Sequence, residues 1–202
     1  MAKTRRVPRQ LRSREKYDQI LASAKELIGK KGNDSVSMRE ISKHSGVALS
    51  SIYQYFDDKN AILQAIMQDF FNLVRQSIES SLEGCQSIDD LIVSMHRNID
   101  AFYTILKRDP IFAMMWAGLQ ANPELVKDDA EDSQQNAHII TEKACIILGE
   151  EKRQEIYNAT LLLVHMIGST IRLALTMPEE EADRLVDEIK SLAKLRLRSF
   201  NI

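Results

Sequence analysis

The sequence predicts an all-α protein, and three observations carry that expectation. Nowhere in the 202 residues do apolar and polar residues alternate strictly, as they would on a half-buried strand. Apolar residues recur instead at helical spacing, in stretches opened by capping residues or prolines. The seven glycines fall at helix ends or helix contacts. Read in order, these signals give about nine helices.

The first helix carries Ile20, Leu21, Ala24, Leu27 and Ile28 along one side and stops before Gly32. Ser37-Met38-Arg39-Glu40 is a capping box, in which a hydroxyl and a carboxylate satisfy backbone N–H groups that have no partner inside the helix. Met38, Ile41 and Ser45 share a face of this second helix, Gly46 can take the left-handed conformation that ends it, and Val47 anchors the turn. A third helix runs from about Leu49 to Phe56. At 100° per residue Ile52 and Phe56 lie in line, while Ser50 and Gln54 point the opposite way, flanked by Ser51 and Tyr53. Residues 37 to 56 therefore outline a helix-turn-helix whose free face offers hydrogen-bonding groups suited to phosphates and base edges.

A short helix pair around a glycine turn also arises without any role in nucleic-acid binding. The preceding arm argues for such a role. The first sixteen residues carry Lys3, Arg5, Arg6, Arg9, Arg12, Arg14 and Lys16 against Glu15 alone. Residues 1 to 59 hold 13 Lys and Arg against 7 Asp and Glu, whereas residues 60 to 202 hold 14 against 22. Only the first part suits a polyanion.

Beyond residue 57, Asp57 is expected to cap a helix from about Lys59 to Leu82, and Ser87-Ile88-Asp89-Asp90 opens another that ends near Lys107. Asp109-Pro110 and Asn122-Pro123 each place a capping residue before a proline at the first helical position. The helix from Pro123 is polar through Gln135 and amphipathic only from Ala137 to Leu148, so its first half is expected at the surface, with Asp128-Asp129-Ala130-Glu131-Asp132 as a solvated face. Gly149 ends it. A long helix from about Glu151 to Met177 follows, and Pro178 with Glu179, Glu180 and Glu181 begins the last, ending near Phe200.

These last two helices bear more apolar surface than one packed face requires. Besides the stripe of Ile156, Ala159, Leu163, Ile167, Thr170, Ile171 and Ala174, the first also carries Leu161, Leu162, Val164, Met166 and Leu175. The second adds Ala182, Leu185, Val186, Ile189, Leu192, Ala193 and Leu197. A second copy of the chain is the expected cover, with Leu163, Ile167, Ile171, Leu185, Ile189 and Leu192 at the interface; burial within the same chain is the alternative.

Residues of about 12 to 65 resemble the DNA-binding domain of the TetR family of bacterial transcriptional regulators. The resemblance rests on the leading amphipathic helix, Gly32, Ser37-Met38-Arg39-Glu40-Ile41-Ser42, Ser45-Gly46-Val47, Ile52-Tyr53, Tyr55-Phe56 and Lys59. The sequence departs from the family pattern at Ala48, where a Ser is common, at Leu49, where a basic or small residue is frequent, and at Tyr55, often a His. Leu49 can touch a thymine methyl group instead. The resemblance implies a homodimer whose last two helices pair with their partner's, two recognition helices about one DNA turn apart reading a palindrome, and a ligand cavity in the all-helical body.

For DNA, the expected contacts are Arg14 and Ser37 to phosphate, Arg39 and Lys59 as further charges, Leu49, Ser50, Ser51 and Gln54 to bases, and Tyr53 and Tyr55 to the backbone. For an effector, Phe70, Val74, Met95, Ile99, Phe102, Tyr103, Met115, Trp116, Leu119 and Met166 give a bulky, adaptable lining suited to a small apolar molecule, and ordinary core packing explains the same residues equally well. Few polar groups are placed to orient it: His96, Arg97, Asn98, Tyr103, His165, Thr170 and Arg172. His165, in the middle of an apolar helix, is the candidate ligand contact among these, and a core histidine satisfied by a neighbour is the commoner reading of such a position.

No phosphate loop, Gly-x-Ser-x-Gly elbow or His-Glu-x-x-His motif occurs, so neither a catalytic set nor a cofactor is expected. Cys85 and Cys145, sixty residues apart and without metal-ligand neighbours, are expected as reduced thiols, and no metal site is expected. Lacking a signal peptide and an apolar run long enough to span a bilayer, the chain is expected to be cytoplasmic. Residues 1–57 are expected to form the DNA-binding domain and 58–202 the effector-binding and dimerisation domain. The function that follows is a repressor released from double-stranded DNA by its effector. The rival is a DNA-binding interaction or architectural protein with no small-molecule effector.

Overall fold

Helix α1, Leu11–Lys31, buries Ile20, Leu21, Ala24, Leu27 and Ile28 and exposes the charged residues between them, as the 3.6-residue period requires. The structure is a computed structural model and describes residues 11–33, 35–109, 111–112 and 122–201. Among these residues all regular structure is helical. After α1 come α2 (Met38–Ser45), α3 (Leu49–Ile52), α4 (Lys59–Leu82), α5 (Ile88–Arg108), α6 (Pro123–Leu148), α7 (Arg153–Ala174) and α8 (Glu179–Arg198), with short 3-10 turns at Glu150–Lys152 and Ser199–Asn201. The helix expected from Pro110 falls largely on residues 113–121, outside the described residues.

Start signals act locally and largely where expected. Ser87 accepts from the Asp90 N–H at 3.2 Å and Asp90 accepts from the Ser87 N–H at 2.9 Å, which closes a capping box at the head of α5. Asn122 Oδ1 accepts from the Glu124 N–H at 3.1 Å ahead of α6. The cap of α4 is Asp58, whose Oδ1 accepts from the Ala61 N–H at 2.8 Å, one residue later than the sequence suggested. Gly149, at φ 101°, terminates α6 in a conformation that any Cβ would strain.

The chain divides into two compact units. The first comprises the residues up to Phe71 together with 109–125; the second comprises 72–108 and 126–202. Helix α4 runs unbroken through the first boundary. In the first unit, Tyr17, Ile41, Val47, Ile52, Phe56, Ile62 and Ile66 join the buried face of α1, with the Tyr17 ring stacked on Phe56 at 4.9 Å between centroids.

In the second unit, Ile78, Leu82, Cys85, Leu91, Ala144, Cys145, Ile156, Ala159 and Phe200 form one core, drawn from α4, α5, α6, α7 and the C-terminal turn. Both cysteines are free thiols within it. Helix α8 packs along α7 and also lies antiparallel to α5. The second contact is pinned by Lys107 to Glu179, Tyr103 to Asp183 at 3.3 Å, Asp100 to Lys190 at 2.5 Å and Asp89 to Arg198 at 3.1 Å.

Most of the first half of α6 is exposed or half-buried, as expected, with two exceptions in Leu125 and Asp132. Leu125, Asp132 and Asn136 are buried, at helical spacing on one face, and the acidic run expected at the surface therefore contributes a side chain to the interior.

Candidate nucleic-acid interface and effector region

The turn between α2 and α3 is held by side chains that close on their own neighbourhood. Ser37 Oγ accepts from the Glu40 N–H at 3.3 Å, and Glu40 Oε2 accepts from the Ser37 N–H at 3.0 Å and from its hydroxyl at 3.0 Å. The hydrogen bond from Lys31, together with those from Ser37, holds the Glu40 carboxyl below its ordinary range. Gly46 ends α2 at φ 67°. Ser42 Oγ donates to the Val47 carbonyl at 2.8 Å, and Gln19 Nε2 reaches across from α1 to the Ser45 carbonyl at 2.7 Å. These bonds fix the angle at which the next helix leaves.

Helix α3 is shorter than the sequence suggested. It is α-helical only over Leu49–Ile52, and residues 53 to 55 continue as tight turns, with Gln54 N–H donating to the Ser51 carbonyl and Tyr55 N–H to that of Ile52. Ala48 supplies no side-chain cap, which removes the usual device for starting a helix cleanly. The faces nevertheless fall as the periodicity requires: Ile52 and Phe56 are fully buried, and Ser50, Tyr53 and Gln54 are exposed. Leu49 and Ser51 are half-buried beside them.

Other expected DNA contacts have mixed placements. Arg14 and Arg39 are exposed. Ser37 is exposed but its hydroxyl is used in the capping box. Tyr55 lies 2.9 Å from the Ser13 hydroxyl through its own, with its ring edge-on to Tyr17. Lys59 Nζ donates to the Asn33 carbonyl at 2.7 Å, so this ammonium braces the loop before α2 rather than extending freely. Proximity in sequence to the motif does not reveal such internal partners.

The candidate effector residues are scattered. Phe70 is buried in the first unit, against Phe112 at 4.3 Å between ring centroids. Met115, Trp116 and Leu119 lie outside the described residues. In the second unit Ile99 is buried, and Val74, Met95, Phe102 and Tyr103 are half-buried. Tyr103 turns to α8, where its hydroxyl meets Asp183, and burial together with that carboxylate pushes its pKa up. His165 and Met166 are exposed on the single chain.

Of the expected dimer residues, Leu163, Ile171 and Ile189 are buried within their own chain, Ile167 and Leu185 are half-buried and Leu192 is exposed. The apolar side chains left outward on α7 and α8 are Leu162, Met166, Leu173, Leu192 and Leu195. On a helix apolar nearly all round, periodicity alone does not distinguish the inward stripe from the outward one.

A polar group in the second unit was missed by sequence reading. Arg75 Nη2 bonds Asp132 Oδ1 at 2.5 Å, and Asn136 Nδ2 donates to Asp132 Oδ2 at 2.8 Å. Burial raises the Asp132 pKa despite the arginine beside it. The signal was present in the spacing of Leu125, Asp132 and Asn136, which places both polar residues on the helix face of a buried leucine.

Residues 20–66 match the family model described as "Bacterial regulatory proteins, tetR family", and residues 87–200 match "Tetracyclin repressor-like, C-terminal domain". The chain belongs to the TetR family. It is 31% identical over 113 residues to the uncharacterized HTH-type transcriptional regulator YvdT of Bacillus subtilis (strain 168), a match covering 55% of this chain and 57% of that protein. It is 26% identical over 90 residues to the HTH-type transcriptional repressor KstR2 of Rhodococcus jostii (strain RHA1), covering 43% and 44%. The chain thus spans about half the length of these curated relatives. A TetR-family transcriptional regulator from Streptomyces coelicolor superimposes with a TM-score of 0.70 at 16% identity, over 92% of this chain and 99% of that one, a likeness of fold. The all-α TetR architecture, an N-terminal helix-turn-helix followed by a helical C-terminal domain, is therefore the architecture of this chain.

Proposed function

We propose that this TetR-family protein is a homodimeric repressor that binds a palindromic operator through its helix-turn-helix and leaves it when a small, largely apolar effector binds the C-terminal domain. The observation that carries the reading is the exposed edge of Ser50, Tyr53 and Gln54 on a turn whose apolar side, Ile41, Ile52 and Phe56, is fully buried. Such an edge presents donors and acceptors to base edges from a rigid support. In this reading residues 1–57 bind DNA, with Gln54 preferring adenine and Leu49 facing a thymine methyl group. Residues 58–202 dimerise and bind the effector. The repressor sense draws support from the name of KstR2.

Release follows from linkage. An effector that favours the form with badly spaced recognition helices weakens DNA binding by the same coupling free energy with which DNA weakens effector binding. Helix α4 belongs to both compact units and is the element through which such a shift would pass. Leu162, Leu173 and Leu195 are exposed apolar residues on α7 and α8 that a second copy would cover.

The test is selection of bound DNA from a random pool at physiological salt, followed by binding to the best sequence with and without apolar ligands. A palindrome released by one ligand class is the expected result. A palindrome indifferent to every ligand would move the reading to an architectural or interaction protein, and no enriched site would overturn DNA recognition itself.

A further inference from the structure

The polar group on α4 and α6 has a composition that ordinary core packing does not require. Asp132 and Asn136 are 8% and 3% exposed, and the Arg75 and Asp132 side chains 20% and 11%. Two buried atoms of this group, Arg75 Nε and Asn136 Oδ1, have no hydrogen-bond partner among the described residues. They flank a single carboxylate, since Arg75 holds one oxygen of Asp132 and Asn136 the other. One cation and one anion, Arg75 and Asp132, therefore lie at this place with the neutral Asn136 beside them. Unpartnered buried groups of this kind are costly to keep, and an arrangement that leaves both a donor and an acceptor open matches a ligand able to give and take a hydrogen bond.

We propose that Arg75, Asp132 and Asn136 form the recognition point for a neutral hydroxylated head group on an otherwise apolar effector. This rests on the effector reading above and narrows its ligand class. A hydroxyl donates, as Asn136 Oδ1 requires, and accepts, as the Arg75 Nε–H requires. A carboxylate only accepts, which leaves Asn136 Oδ1 open, and an ammonium only donates, which leaves the Arg75 Nε–H open. A bare hydrocarbon leaves both atoms open. Ile140, one turn from Asn136 on the same face of α6, is half-buried against the core of the second unit and is the apolar neighbour of the group along that face.

The experiment uses the full chain with three probes that share one body: 4-propylphenol, propylbenzene and 4-propylbenzoate. Calorimetry is expected to show 4-propylphenol binding about tenfold tighter than propylbenzene, the ratio that about one net hydrogen bond gives. Asn136→Ala and Arg75→Lys are each expected to shrink that preference to about threefold or less. Arg75→Lys keeps a cation opposite Asp132 while removing the Nε–H, so it reports on recognition even where Asn136→Ala fails to fold. Equal affinity for the phenol and the hydrocarbon, a preference that survives both substitutions, tightest binding of 4-propylbenzoate, or no binding of any probe at about 1 mM overturns the proposal. Release of operator DNA, measured in parallel, separates the two readings. Release by propylbenzene as strong as by 4-propylphenol sinks the hydroxyl site and leaves the effector reading standing, whereas ligand that binds without releasing DNA sinks the effector reading.

Discussion

The two compact units use polar side chains in opposite ways. In the first, they bond partners close in sequence or on the neighbouring helix: Ser37 with Glu40, Ser42 with the Val47 carbonyl, Gln19 with the Ser45 carbonyl. Each such bond ends or joins a helix, and Ser50, Tyr53 and Gln54 are left facing outward. In the second, Arg75 meets Asp132 and Asn136 from a helix position 57 or more residues away in sequence, and the last two lie buried while Arg75 is half-buried. A recognition surface for a water-exposed polyanion needs a rigid frame and open polar groups, whereas recognition of a small molecule in an interior needs polar groups already desolvated.

The largest test of this contrast is Asp132→Ala. Removing one partner leaves the Arg75 guanidinium buried without its counter-charge, and urea unfolding is expected to show a loss of about 3 kcal/mol, the lower end for buried pairs because Arg75 keeps some exposure. Replacing both, by Arg75→Met with Asp132→Leu, is expected to recover most of that loss. A double variant as unstable as the single one would show that the pair is not acting as a buried ion pair.

Gln54→Ala is the matching test on the outward edge. It is expected to leave stability unchanged and to relax preference at one base step by about 1–3 kcal/mol, whereas Arg14→Ala weakens all sequences alike. Competition binding against single-base variants of the selected operator checks this, and uniform weakening by both substitutions would contradict the assigned roles.

Ser37→Ala ranks third, at about 0.5–2 kcal/mol of stability, because it opens the capping box of α2. Thermal unfolding measures it, and an unchanged midpoint would mean that water replaces the hydroxyl at no cost.

The smallest effect is in titration. Glu40 is expected to titrate below its ordinary 4.5, because the bonds from Lys31 and Ser37 favour its charged form. The stability it contributes is present above 4.5 and is lost as pH falls through its lowered folded value. Asp132 shifts the other way, above 3.8, through burial. Its ionisation therefore costs stability, a cost absent below 3.8 and complete once pH has risen through its folded value. Carboxyl NMR titration resolves the two, and Glu40 titrating above 4.5 or Asp132 below 3.8 would refute the contrast.

Much of the first unit was legible beforehand, because its determinants are local. A capping box spans four residues, Gly46 lies within about two turns of it, and the opposition of Ile52 to Ser50 and Gln54 follows from the helical period alone. What local reading did not show there is a partner from elsewhere: Lys59 bonds the Asn33 carbonyl and Tyr55 the Ser13 hydroxyl.

What the sequence determined by itself was the helical class, most helix starts and stops, and the face that the recognition turn buries. All of these depend on contacts within a few residues, where spacing and chemistry are both visible in the chain. Tertiary structure alone decided that an acidic stretch of α6 would send Asp132 and Asn136 inward to Arg75. It also decided which stripe of α7 and α8 stays outward. An aspartate reads as solvated until an arginine from a distant helix arrives to compensate its burial; the spacing to Leu125 and Asn136 marks the face it shares with them but does not name that arginine.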